Sequence, residues 1–204
     1  MTKKYELVLD DTISFWGWKL FRIRALISFG SVEVGDLGGY IEKEENLSHD
    51  GNAWVSGDAK VSGNAEVYGN AEVYGNAEVW SNAKVSGNAK VSGNAEVYGN
   101  AEVYGNAEVS GNAKVSGDAE VWGNAEVWGD AKVSKLGDII VFKNHWSSGR
   151  HFTYTKSNKM WKVGCFYGTG QELIEKAYRD SEKSGNYYKA YVDFVETLER
   201  LSEE

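Results

Sequence analysis

The 204-residue chain contains no proline, one cysteine (Cys165), three histidines (His49, His145 and His151) and no run of about 18 apolar residues. Each scarcity excludes something. A lone cysteine excludes an internal disulfide framework and a cysteine-rich zinc module, and three scattered histidines leave little for metal ligation, so no metal and no cofactor is expected. Without a long apolar run there is no membrane-spanning helix to expect, and Met1-Thr2-Lys3-Lys4 is followed by no apolar segment of the secretory type. That points to a soluble cytoplasmic protein with no membrane partner. Lys and Arg number 22 against 30 Asp and Glu, a formal charge of −8, which argues against nucleic acid as a partner. The chain carries 24 glycines. Flexible glycine-rich linkers usually contain proline as well, so these glycines should be periodic.

They are. From Gly51 to Ser134 the chain runs through fourteen hexads of the form Gly-(Asn/Asp)-Ala-x-Val-x without an insertion, Gly giving way once, to Ser81, and Asn three times, to Asp58, Asp118 and Asp130. Ala and Val, two residues apart, point to one side of an extended strand, and Gly-Asn supplies the left-handed backbone of a corner. Each hexad therefore predicts a short strand and a turn, and their repetition predicts a solenoid with Ala and Val inside. Such an interior has no room for a ligand. Proline would remove donors from a parallel ladder, and asparagines eighteen apart should stack as amide ladders at the corners.

An aliphatic residue followed four later by a small one, as in Val55 to Ala59 or Val61 to Ala65, resembles the hexapeptide-repeat family. The resemblance implies a left-handed parallel β-helix with three hexads to a triangular coil, frequent homotrimers, and in many members acyl transfer from acyl-CoA. Upstream, Leu47 falls in the place of Ala, Ile41 lies six before it, and Gly35-Asp36-Leu37 repeats the opening triplet, so the helix is extended irregularly to about Val32; downstream, 138–143 reads as a closing strand. The expected fold is mainly β: an N-terminal β cap over 1–31, a left-handed parallel β-helix of about six triangular coils over 32–143, and a small ββαα module over 144–204. In the cap, Tyr5–Leu9 and Ile13–Leu26 are strand-like around Asp10-Asp11, with Arg22 and Arg24 on one face against nearby acids.

On the outer face Glu goes with an aromatic residue in seven hexads, presenting Tyr68, Tyr74, Trp80, Tyr98, Tyr104, Trp122 and Trp128, while Lys goes with Ser in five. If coils stack eighteen apart, opposite charges meet at six pairs and like charges at four, each exposed pair contributing about 0.2–1 kcal/mol. Exposed large aromatics favour contact with another surface, so these seven are candidates for a homo-oligomer interface, a trimer being favoured by the resemblance.

The tail changes chemistry. Between Lys135 and Lys162 six bases meet one acid, a local +5. His151–Lys156 and Met160–Phe166 predict a β-hairpin, with Cys165 buried in it. Thr169 and Glu172 have capping-box spacing, so a helix starts there; Ser184-Gly185 should interrupt it before a second helix with Tyr188, Tyr191, Val195 and Leu198 on one stripe. Aromatic rings interleaved with bases suit a ring stacked under a phosphate. Trp146, Arg150, His151, Tyr154, Lys156, Trp161, Lys162 and Tyr167 are the ligand-binding candidates, although hairpin alternation sends part of them to the core.

The hexads, Gly-Asp-Leu-Gly-Gly-Tyr-Ile at 35–41 and Gly-Cys-Phe-Tyr-Gly-Thr at 164–169 together resemble a group of bacteriophage proteins with the same repeats and a C-terminal GCFxGT module. That resemblance implies a phage origin and the cytoplasm of an infected bacterium, and it brings no chemistry to carry over. The resulting expectation is a non-enzymatic binding protein that counteracts bacterial antiphage defence, by sequestering a phosphorylated nucleotide signal or by binding a host defence protein. An acyl-CoA-dependent acyltransferase is the rival, weakened because the fourteen hexads hold no histidine and no loop; a virion structural part is another. No catalytic residue is assigned.

Overall fold

A computed structural model describes residues 3–202 of the chain. Two compact units are formed, Met1–Asp138 and Ile139–Glu204.

In the first unit each hexad places its fourth and fifth residues in a two-residue rung, from Trp54–Val55 to Lys132–Val133. Rungs eighteen residues apart pair in parallel with Val on Val, as in Val79, Val97 and Val115, so three sheets wrap a parallel β-solenoid of about five turns. Every Ala and Val of the hexads is buried. Corner glycines take φ of 61–75°, and a Cβ on Gly99 would stand 2.9 Å from the backbone of Gly117 one coil on. Both angle and space thus demand glycine; Ser81 holds the same angle, φ 63°, against that preference.

Five turns replace the expected six for local reasons at each end. Val32 makes only an isolated antiparallel bridge with Phe29, so the solenoid opens with β3 (Leu37–Ile41), whose Tyr40 and Ile41 pair with Lys60 and Val61. Leu47 bridges Val67, which puts it in the valine register and not the alanine one. The first coil is two residues longer than the rest, and the extra residues fall between Leu47 and Val55. At the far end Ile139–Lys143 closes nothing on the solenoid: it pairs antiparallel with His151–Thr155 of the second unit, which moves the boundary from 143 to 138.

The cap is a hairpin of β1 (Tyr5–Phe15) and β2 (Trp18–Ala25). It turns at Trp16-Gly17, with φ of 52° and 88°, and not at Asp10-Asp11, which sit in a bulge between Val8 and Thr12. As expected, the two arginines are spent on acids: Arg22 donates to Asp11 (2.7 Å) and Arg24 to Glu6 (2.8 Å). β2 pairs with β3, and Gly38 is required there because a Cβ would meet Ile23 at 2.4 Å.

Outside the paired rung residues, the inter-coil backbone hydrogen bonds point one way. The backbone N–H of each coil donates to a carbonyl of the next, as in Lys60 to Ala77 (2.9 Å) and Ser62 to Val79 (3.0 Å). At these flanking and corner positions the first coil is left with carbonyls that no coil precedes and the last with N–H groups that no coil follows. The two ends are closed by opposite chemistry. At the carbonyl end the Lys4 ammonium donates to Ala53 O (2.8 Å), the Tyr5 hydroxyl to Leu47 O (2.6 Å) and Arg22 to Gly38 O (2.9 Å). At the N–H end the Asp138 carboxylate accepts from the backbone of Ser134 (2.7 Å) and Lys135 (3.2 Å). Burial raises the Asp138 pKa, but those hydrogen bonds outweigh it and hold the carboxyl below its ordinary value. Burial lowers the Lys4 pKa to about 8 against the raising effect of Asp50, and burial, with Glu44 and Glu45, pushes the Tyr5 phenol up.

The amide ladders share this polarity. Asn82 donates to Asn100 (3.0 Å), which donates to Asp118 (2.9 Å); Asn94 donates to Asn112 (3.1 Å), which donates to Asp130 (2.9 Å). Asp118 and Asp130 are the last repeat residues of their columns, where only an acceptor is needed, and Asp58 is the first of its own. The three departures from Asn therefore stand at column ends. Of the expected charge pairs, Lys60–Glu78 (3.2 Å), Glu96–Lys114 (2.8 Å) and Lys84–Glu102 (3.8 Å) close, and the like-charged register pairs include Glu78 beside Glu96.

The second unit has four antiparallel strands and not two: β4 (Ile139–Lys143), β5 (His151–Thr155), β6 (Met160–Val163) and β7 (Phe166–Gly168), paired in sequence order. Two helices follow, α1 (Gly170–Asp180) and α2 (Glu182–Leu201). The capping box at Thr169 and Glu172 forms as its spacing predicts. The break between helices falls at Ser181, whose hydroxyl caps α2 by accepting from Ser184 N (3.0 Å). Ser184-Gly185 lies inside α2; Gly185 is needed because the ring of Tyr178 from α1 would meet a Cβ at 2.2 Å. Among the described residues no helix is long and apolar enough to cross a membrane.

Candidate functional site

Strand register divides the sequence candidates of the second unit. Phe142, Phe152, Val163 and Phe166 align across the sheet, and Ile140, Tyr154, Trp161 and Gly168 form the parallel row on the same face. Phe152, Tyr154 and Trp161 are buried with Leu173, Tyr188 and Val192, so this face carries the core. Tyr154 donates to Glu199 (2.6 Å), and burial followed by that contact pushes its phenol pKa up. The other face presents Val141, Thr153, Lys162 and Tyr167 in one row and Lys143 beside His151 in the next.

The eight ligand candidates do not meet in one place. Tyr154 and Trp161 are core residues. Lys162 is buried, and its ammonium donates to the carbonyl of Gly164. Lys156 lies at the opposite end of β5, donating to Ser202 (3.1 Å), and Tyr167 accepts from Asn158 (3.2 Å) near that end. Arg150, exposed, and His151 stand where β5 begins. Cys165 is exposed and not buried, because Gly164-Cys165 is the tight turn between β6 and β7, with Gly164 at φ 55°.

Trp146 belongs to a different feature. It is 61% exposed and stacks on Tyr187 with ring centroids 6.3 Å apart at 13°. Phe142, Tyr191 and Phe194 complete an apolar groove of about 370 Å³. Phe142 lies 5.3 Å from Tyr191 and 6.0 Å from Phe194, centroid to centroid. Exposed apolar side chains continue beyond the groove along α2. Tyr188, Val192 and Val195 face the core, whereas Tyr187, Tyr191, Phe194, Leu198 and Leu201 follow one another at alternating steps of four and three, with Phe194 50%, Leu198 37% and Leu201 63% exposed. The predicted stripe of Tyr188, Tyr191, Val195 and Leu198 thus splits: Tyr188 and Val195 are core, Tyr191 lines the groove and Leu198 is exposed. Reading one apolar face where α2 has two is what concealed the groove.

The seven aromatics of the solenoid are divided among three columns. Trp80 and Tyr98 stack with centroids 4.6 Å apart at 3°, and Trp16 and Trp18 of the cap hairpin join them around a cavity of about 160 Å³, so the chain itself covers part of that pair. Tyr104 and Trp122 share a second column with Tyr68; Tyr104 donates to Glu120 (2.9 Å), which raises its pKa, and Trp122 is 57% exposed. Tyr74 and Trp128 occupy the third column, three coils apart.

His49, in the first coil, accepts from the backbone N–H of Lys4 (3.1 Å) and stacks on Tyr5 at 4.3 Å. Among the described residues no group of three or more His, Cys, Asp or Glu is placed to hold a metal ion. Compared with known protein families and with curated proteins, the sequence matches none.

Proposed function

We propose that the chain is a non-enzymatic binding protein in which α2 receives an amphipathic helix of a partner protein. One observation carries this reading: the seam of Tyr187, Tyr191, Phe194, Leu198 and Leu201 is spaced four and three along α2, its two tyrosines half-buried and its last three residues exposed, while the neighbouring face of the same helix, Tyr188, Val192 and Val195, is packed in a core. A 4–3 spacing is the pattern that two helices share when knobs enter holes, and fifteen residues of it extend about 21 Å. Trp146 and Phe142 widen the seam into a groove with the aromatic composition of an interface hot spot. The solenoid is the rigid scaffold, and its exposed aromatics, Trp122 above all, are candidates for a homo-oligomeric, trimeric contact.

The resemblance to bacteriophage proteins supports a phage origin and makes a host antiphage defence protein the partner. Phage carrying the wild-type gene should plate on a defence-bearing strain, Phe194→Asp should abolish plating, and crosslinks from the defence protein should fall on α2. Plating unaffected by Phe194→Asp would overturn the reading. A second reading, sequestration of a phosphorylated nucleotide, draws on the +5 segment from Lys135 to Lys162 and on the exposed Arg150. It requires a thermal shift with a nucleotide that Arg150→Ala removes.

A further inference from the structure

The first coil departs from the repeat at one outward position. Trp54 stands where every other hexad has Glu or Lys, and it is 7% exposed, edge-on to Phe29 with centroids 5.4 Å apart. Residues 29–32, closed by reciprocal backbone hydrogen bonds between Phe29 and Val32 (3.0 and 2.8 Å), fold over this face and leave a cleft of about 450 Å³, within the range of small-molecule sites. Trp54 and Tyr74, the latter 38% exposed, supply its aromatic surface, and Asn52, Asn70, Ser56 and Glu72 its polar groups.

The amide ladder of this column stops at the cleft. Asn70 donates to Asn88 (3.1 Å) and Asn88 to Asn106 (3.0 Å), but Asn52, eighteen residues before Asn70, makes no link. Among the described residues the side chains of Asn52, Ser56 and Glu72 have no partner. Amide, hydroxyl and carboxylate are thus left uncommitted beside aromatic rings, in the one column where the ladder had the residues to continue. No cationic side chain lines the cleft. Lys90 is opposite Glu72 in the register without lining it, and the Lys4 ammonium is 4.8 Å from the Phe29 ring centroid.

We propose that this cleft binds an uncharged saccharide. A sugar ring offers an apolar C–H face to Tyr74 and Trp54, and its hydroxyls, both donors and acceptors, suit an amide, a serine hydroxyl and a carboxylate that can accept from two neighbouring hydroxyls. A phosphorylated or otherwise anionic ligand would face Glu72 with no compensating cation. The site is on the first unit and is independent of the α2 groove.

The test is amide NMR of the full ¹⁵N-labelled chain titrated with methyl β-glucopyranoside, N-acetylglucosamine and maltose. At least one should bind with Kd of about 1 mM or tighter, shifting resonances of 29–32 and 52–56, and Glu72→Gln and Asn52→Ala should each weaken it about tenfold while Glu108→Gln leaves it unchanged. If Asn52→Ala disturbs the fold, Tyr74→Ala, on an exposed side chain, replaces it and should lose the same tenfold. Absence of cleft shifts with all three sugars, equal binding by the variants, or tighter binding of glucose 6-phosphate than of methyl β-glucopyranoside would overturn the proposal.

Discussion

The solenoid and the C-terminal unit are stabilised in contrasting ways. Apart from Trp54 at its first rung, the solenoid buries nothing larger than valine in its repeats, and each rung pairs only with the rungs before and after it. Its stability is a sum of small, similar increments plus whatever closes its two ends. The C-terminal unit concentrates its stability in a few large side chains, Trp161 and Phe152 at the centre, contacted from both helix and sheet. A periodic fold can therefore lose one side chain at modest cost, while the compact unit cannot, and recognition surfaces accumulate where the period is broken.

Substitutions should expose this difference, beginning with the cores. Trp161→Ala should cost about 3–5 kcal/mol and unfold the C-terminal unit, whereas Val97→Ala should cost about 2 kcal/mol and leave neighbouring coils protected, as hydrogen exchange would report. Equal, global loss of protection from Val97→Ala would break the contrast.

The end closures come next. Folded Lys4 loses its proton near pH 8, while the unfolded chain keeps it to about 10.5, so the unfolded state binds more protons in that window and stability should rise with pH from about 8 to 10 by on the order of 1–3 kcal/mol. Above pH 10 the raised phenols of Tyr5 and Tyr154 reverse the sign, because the unfolded state then releases protons that the folded state retains. Denaturant midpoints across this range should show the rise for the wild type and lose it in Lys4→Met.

Smaller effects separate ladder middles from ladder ends. Asn88→Asp removes the donor to Asn106 and should cost about 1 kcal/mol, while Asp118→Asn at a column end should change stability by less than about 0.5 kcal/mol; thermal melts of the pair test the polarity of the ladders. Smallest of all, Ser81→Gly relieves φ of 63° at a corner and should raise stability by about 0.5–1 kcal/mol, an effect that Gly99→Ser at the matching corner should reverse.

Much of the fold was legible because its information is local. Inward Ala and Val, corner Gly-Asn, stacked amides and the Thr169 capping box follow from the order of neighbours along the chain, since period and turn chemistry act within a few residues. Errors began where the period ended. Nothing local to Ile139–Lys143 says whether it pairs with a coil or with His151–Thr155, nor that two extra residues before Val55 shift Leu47 from the alanine to the valine register. Of the candidate site, the identity of its aromatics was legible and their grouping was not. Trp146 reads as one of a basic hairpin set, yet it joins Tyr187, some forty residues away, because α2 turns a second apolar face outward.

The sequence by itself determined the solenoid, its inside and outside, and the kind of residue required at each corner, because a six-residue period leaves one way to bury Ala and Val together. Only the tertiary structure decided which groups close the ends, where Trp16 and Trp18 come to rest, and which aromatics are spent in a core and which stay open. Those outcomes depend on contacts between segments far apart in the chain, and no repeat encodes them.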